Sequence, residues 1–184
     1  MKLIETLKNI WKIEELKSRL LTTLLLVVVF RFGSFVVLPG IDPQMLTGLH
    51  AQTREGLMSL LDMFTGGAFS NASVFGLGIM PYISASIILQ LLTVAIPAVE
   101  RLSKEGESGR KKITQYTRYG TVLLSLIQGF GISFGLMQQG AVLPGVSHLQ
   151  FYVTTMVTLT AGTCFLMWLG EMITERGIGN GISL

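Results

Sequence analysis

The chain has 184 residues, of which 49% are hydrophobic and only 14% charged, and its mean hydropathy is +0.58; ordinary soluble domains carry about 25% charged residues, so this balance points to a membrane protein. Its single cysteine, Cys164, excludes an internal disulfide framework, and its two histidines, His50 and His148, are too few and too far apart to build a metal site with it. The formal charge of +3 comes from basic residues set beside apolar runs, without interleaved aromatics on one face, which argues against direct nucleic-acid binding.

In chain order, residues 1–19 form a charged cytoplasmic segment in which Leu3, Leu7, Ile10, Trp11 and Leu16 fall near one helical stripe. That pattern suits a helix lying on an anionic membrane surface; a mobile charged tail is the plainer alternative. Residues 20–38 are apolar and long enough to span about 30 Å of hydrocarbon at about 1.5 Å per residue. A signal peptide is the competing account, but the run exceeds an h-region and ends in VVLPG with no A-x-A-like cleavage site, so it reads as a retained span. Arg31 inside it costs a few kcal/mol to insert, so its guanidinium must reach outward or bond carbonyls of the bundle interior.

Residues 39–56 form a periplasmic loop, and residues 57–78, LMSLLDMFTGGAFSNASVFGLG, are apolar but broken by Asp62, Gly66, Gly67, Ser70, Asn71 and Ser73. Such a stretch fits either a re-entrant segment or a loop carrying a short amphipathic helix. If it dips to membrane depth, protein or water must cover its irregular backbone. Further spans are expected at 79–99, 119–137 and 151–171, separated by a basic loop at 100–118 and a loop at 138–150 that has no Lys or Arg. Residues 172–184 follow the last span, and the positive-inside rule places both chain ends in the cytoplasm.

Within the second span Pro81 falls in the first turn, where its fixed φ starts a helix without losing a bond. Ile79, Ile83 and Ile87 recur every four residues, with Ser84 beside them; this is also the pattern of an ordinary helix contact in a membrane. Gln90 and Gln128, counted from the ends of antiparallel spans, are expected at one depth, within reach of each other. No Asp or Glu lies near the middle of any span, which weakens a coupled-transporter reading. H-E-x-x-H and a phosphate-loop lysine are missing, and the one G-x-S-x-G, GISFG at 131–135, lies inside an apolar span instead of on a strand-to-helix turn, so no catalytic activity is expected.

Three long stretches carry a resemblance: VFGLGIMPYISASIILQLL (74–92), KEGESGRKKITQYTRYGT (104–121) and FLMWLGEMITERGIGNGIS (165–183). On these, in order and on a compatible topology, the chain resembles the SecY family of protein-conducting channels along its whole length. The resemblance implies an all-α polytopic membrane protein, with four transmembrane helices and a re-entrant plug that form part of a ten-helix fold. It implies a pore ring containing Ile79 and Ile83 and a lateral gate containing Ser84, Ile87, Gln90 and Gln128. It also implies a plug containing Leu60, Met63, Phe64, Gly66, Gly67, Phe69 and Ser73. The implied partners are signal peptides and nascent or preprotein chains, the SecE and SecG subunits, the SecA motor ATPase or a ribosome, and anionic lipids. No cofactor is implied, and the implied location is the bacterial inner membrane. The family has ten spans in two halves of five, so a chain ending at Leu184, before the fifth, is expected to be an N-terminal fragment that forms no working pore alone. Half of a secondary transporter with a midplane solute site is the alternative.

Overall fold

The structure, a computed structural model, describes residues 13–42 and 57–182. The amphipathic stripe expected at Leu3, Leu7, Ile10 and Trp11, and the greater part of the 39–56 loop, lie outside them. The described residues are helical: α1 (Glu14–Gly33), α2 (Leu57–Phe64), α3 (Met80–Ala95), α4 (Pro97–Lys104), α5 (Glu107–Gln138) and α6 (His148–Arg176). Extended pairing among them is confined to two isolated antiparallel bridges, Val37 with Ser73 and Ile41 with Val142.

The helix ends follow from local chemistry. α1 has Glu14 and Glu15 in its first turn and Arg31 in its last, which suits the helix dipole. α3 opens with Pro81 near its N-terminus and stops at Ile96, the residue before Pro97. A residue preceding proline is forced out of the helical region; Ile96 takes φ −114° and ψ 114°, and α4 restarts from Pro97. The axes of α3 and α4 differ by 103°. The span expected to run unbroken over 79–99 is therefore broken at Ile96. Residues 107–118, expected as loop, are the first turns of α5, supported by good helix formers and by Glu107 paired with Lys111 at i, i+4. α6 starts at an N-cap, with the Gln150 amide donating to Ser147 Oγ at 3.4 Å.

α5 and α6 run antiparallel and pack through small residues. Thr117, Thr121, Ser125, Gly129 and Ser133 of α5, spaced four apart, are buried against a face of α6 that includes Phe151, Thr155, Leu159 and Thr163. Gly129 lets the Met156 backbone come close; a Cβ there would sit 3.5 Å from the Met156 Cα. α3 packs on α5 with Ala85 opposite Gly120, and α1 packs on α6. Two apolar clusters result: Leu38, Ala72, Leu77, Leu136, Phe151 and Leu159 at one end, and Leu26, Ala68, Phe75, Leu166, Leu169 and Ile173 at the other. Large apolar side chains also face outward, among them Leu25 and Phe32 on α1, Leu123, Ile127 and Phe134 on α5, and Val153 and Val157 on α6. That suits a hydrocarbon solvent.

Among the described residues, α5 and α6 are each long and apolar enough to cross a membrane, and the bent pair α3 and α4 together make a third candidate. α1 spans 20 residues but carries Lys17, Arg19 and Arg31, and its length and apolarity do not by themselves qualify it as the fourth.

Candidate functional site

The site is built around residues 65–78, a stretch without regular structure that leads from α2 into α3. α2 ends as a Schellman turn: the Gly66 amide donates to the Met63 carbonyl at 3.3 Å and the Gly67 amide to the Asp62 carbonyl at 3.0 Å. Gly66 (φ 61°) and Gly67 (φ 86°) supply the left-handed conformation such a turn needs. The Asp62 carboxylate folds back over it and accepts the Ser70 amide at 2.9 Å. The chain is then held edge-on to the segment following α1: the Leu38 amide donates to the Ala72 carbonyl and the Val74 amide to the Val36 carbonyl, both at 2.9 Å. Polar backbone that would be costly at membrane depth is thereby paired. Thr65, Ala68, Ser70, Ser73, Phe75 and Leu77 are buried.

Two glycines and an aromatic stack shape the seat. At Gly162 of α6 the Val74 carbonyl lies where a Cβ would be, and at Gly33 of α1 the Phe75 ring does the same. Phe75 stacks between Phe30 and Phe165, with centroids 5.9 Å apart on each side and rings within about 10° of parallel. From α1 Arg31 donates through Nη1 to the Gly66 carbonyl at 2.6 Å, and its guanidinium lies 5.5 Å from the centre of the Phe35 ring.

The segment delivers the chain to Ile79, the N-cap of α3, whose carbonyl accepts the amides of Tyr82 and Ile83. Ile79, Ile83 and Ser84 are half-buried, while Ile87 is exposed. Of the residues singled out in the sequence, Gly66, Gly67, Phe69 and Ser73 come together in the seat, and Leu60, Met63 and Phe64 point outward from α2.

Gln90 and Gln128 are not brought together. Gln90 opens into a cavity of about 440 Å³ between α3, α4 and α5 that is also lined by Ser86, Thr93, Arg110, Thr114 and Thr117. Gln128 lies 14 residues beyond Thr114 on α5, about 21 Å along the axis. The expectation of equal depth fails because α3 stops at Ala95 instead of 99 and α5 starts at Glu107 instead of 119, which shifts the register of the two helices.

Sequence reasoning also missed an ion pair. Arg118 donates through Nε and Nη2 to the two carboxylate oxygens of Glu171, at 3.0 and 2.7 Å, and joins α5 to α6. The partners are 53 positions apart and carry no local signal. Gly162 was legible only as a small residue of a helix contact, not as the one that admits the Val74 backbone. Among the described residues no three of His, Cys, Asp and Glu cluster so as to hold a metal ion. What the arrangement offers is a seated, glycine-jointed segment beside branched aliphatics at a helix start.

Comparison with known proteins bears on this arrangement. The SecY family model matches residues 73–184. The protein translocase subunit SecY of Escherichia coli strain K12 is 56% identical over 175 residues, covering 92% of this chain and 39% of that protein. The Pseudomonas aeruginosa protein of the same name is 52% identical over 172 residues, covering 94% and 38%. The chain thus spans about two-fifths of the length of these relatives. Among solved structures, Sec61 in the canine ribosome–channel complex superposes with a TM-score of 0.60 at 18% identity, over 91% of this chain and 35% of that one. A structure described as a protein conducting channel gives 0.60 and 18%, over 91% and 34%. At that identity the likeness shows a shared fold.

Proposed function

The chain belongs to the SecY family, and on that footing we propose that, within a longer protein, it forms the N-terminal part of a channel that conducts unfolded polypeptides across the bacterial inner membrane and releases apolar segments into it. The observation that carries the reading is the buried seat of residues 65–78, which ends at Ile79 and Ile83 on the first turns of α3. An irregular segment paired to protein at membrane depth, set directly before two branched aliphatics, is what a plug lying over a hydrophobic constriction requires.

The mechanism follows from the side chains. A ring containing Ile79 and Ile83 excludes water and ions by dewetting, yet offers no hydrogen bond that would grip a passing chain. The plug, with Leu60, Met63, Phe64, Gly66, Gly67, Phe69 and Ser73, fills the space on one side of the ring. Opening along α3, at Ser84, Ile87 and Gln90, with Gln128 on α5, exposes the moving chain to lipid. Apolar segments then partition outward while polar ones continue through, so sorting is by transfer free energy. In this reading, signal segments and preproteins are the cargo. SecE and SecG are companion subunits, and the SecA motor or a ribosome supplies the work, mainly through parts of the protein beyond these residues. Arg101, Lys104, Arg110, Lys111, Lys112 and Arg118 mark the cytoplasmic side, where anionic lipids gather, and put the N-terminus there too.

The family match does not support the secondary-transporter half that the sequence also allowed. Photo-crosslinkers at position 83 and at exposed Phe134, placed in the full-length protein with an arrested preprotein, test the reading. Adducts to the arrested chain are expected from 83 and not from 134; equal labelling, or none from 83, contradicts it.

A further inference from the structure

The plug reading leaves Arg31 unexplained, and the hydrogen bonds around it divide residues 57–78 into two unlike parts. The end at 71–78 is anchored. The Ala72 carbonyl and the Val74 amide pair with Leu38 and Val36, Asn71 Nδ2 donates to the Ser34 carbonyl at 3.4 Å, Ser73 is fully buried, and the Val74 backbone lies against Gly162. At the other end, α2 packs on no other helix among the described residues, and Leu60, Met63 and Phe64 are exposed.

Between the two parts lie Gly66 and Gly67, both at positive φ, with open space where a Gly67 Cβ would be. Asp62 and Thr65 accept bonds across the glycines from the amides of Gly67, Ala68, Phe69 and Ser70, so a swing at the joint has to open them. Beyond the glycines, the amides of Asn71, Ala72 and Ser73 donate to the carbonyls of Gly67, Phe69 and Ala68; among the described residues, one hydrogen bond ties residues 57–70 to the chain outside 57–78, from Arg31 Nη1 to the Gly66 carbonyl at 2.6 Å. The guanidinium sits at the C-terminus of α2, where unpaired carbonyls and the helix dipole favour a cation. It makes no ion pair there among the described residues.

The geometry points to Arg31 as a positioning residue: it caps α2 from α1 and latches the plug helix at a glycine joint, about which α2 swings while residues 71–78 stay in their seat. This rests on the plug reading and adds to it which part moves and what holds it. It also explains why a charge is kept inside an apolar helix: the Gly66 carbonyl, already turned out by the Schellman geometry, gives that charge a partner.

Amide hydrogen exchange on the full-length protein with its companion subunits in lipid nanodiscs tests the latch, with Arg31→Lys and Arg31→Gln compared with wild type. Loss of one charge-assisted hydrogen bond at a locally opening joint is expected to speed exchange at Gly66 and Gly67 by about ten-fold in Arg31→Gln. Arg31→Lys, which keeps the charge, is expected to fall between, and the amides of Leu38 and Val74 to hold their protection in both. Unchanged exchange at Gly66 and Gly67 in either variant overturns the latch, as does equal loss of protection at Leu38 and Val74. Resting ion conductance of the same samples judges the plug reading separately. Faster exchange at the joint without a leak upholds the latch and contradicts the seal; a leak without faster exchange does the reverse.

Discussion

Gly162→Ala tests the seat more sharply than any change within residues 65–78. The added methyl group would fall on the Val74 carbonyl oxygen, with the Val74 carbonyl carbon and Cγ1 each 3.1 Å away. Relief requires residues 72–76 to move by roughly 1 Å, which lengthens the Val74 to Val36 hydrogen bond from 2.9 Å to beyond the normal range. Overpacking costs about 1–3 kcal/mol and the weakened bond about 1 kcal/mol, while alanine returns up to about 1 kcal/mol of helix propensity. The net expectation is a loss of about 1–3 kcal/mol. Gly131 on α5 is the control, because nothing lies within 4 Å of its would-be Cβ and Gly131→Ala has only the propensity to gain. Thermal unfolding of the full-length protein in detergent should give a midpoint lowered by a few degrees for Gly162→Ala, and one unchanged or slightly raised for Gly131→Ala. If Gly162→Ala is as stable as Gly131→Ala, residues 72–76 are not seated on α6 as described.

Three further outcomes are expected. Cysteines replacing Gln90 and Thr114, which line one cavity, should be joined by a short bifunctional thiol reagent, whereas cysteines at Gln90 and Gln128 should not; the reverse result would restore the equal-depth expectation. A double-mutant cycle on Arg118→Ala and Glu171→Ala should give a coupling of about 1 kcal/mol, limited because Arg118 is 47% exposed. Arg118→Lys should lose much of that coupling, because an ammonium cannot match the two-pronged contact; full retention would argue against the bidentate geometry. Gln90→Leu should alter the hydrophobicity a signal segment needs to start export, measured with a graded series of signals, and an unaltered threshold would show that this amide is packing alone.

Much of the helical layout was legible because hydropathy and helix formation coincide over long apolar runs, as in α6. They separate where a helix outlasts the oil. Glu107–Arg118 was expected as loop on its charge, yet charge does not stop a helix that has good formers and an i, i+4 pair. The break at Ile96 could have been read from Pro97, but Ala98 and Val99 carry the apolar run two residues past it and hid it. For the site, the glycines and small polar residues of 65–78 signalled irregular backbone, and Ile79, Ile83 and Pro81 marked the start of α3. What received that backbone was not legible. Gly162, Phe165 and Val36 meet residues 73–75 only through tertiary packing, and a small residue in a helix does not announce its neighbour. Arg31 could be expected to seek a carbonyl; that the carbonyl is Gly66's depends on a turn 35 positions away.

Closure of an ion path by Ile79 and Ile83 is the central proposal, and single-channel recording of the full-length protein at rest measures it directly. Ile83→Gly removes a branched side chain from the proposed constriction and is expected to open a steady ion leak, while Ile127→Gly, on the outward face of α5, leaves the membrane tight. Silent Ile83→Gly channels, or equal leaks from both variants, would mean that these isoleucines face something other than a conduit.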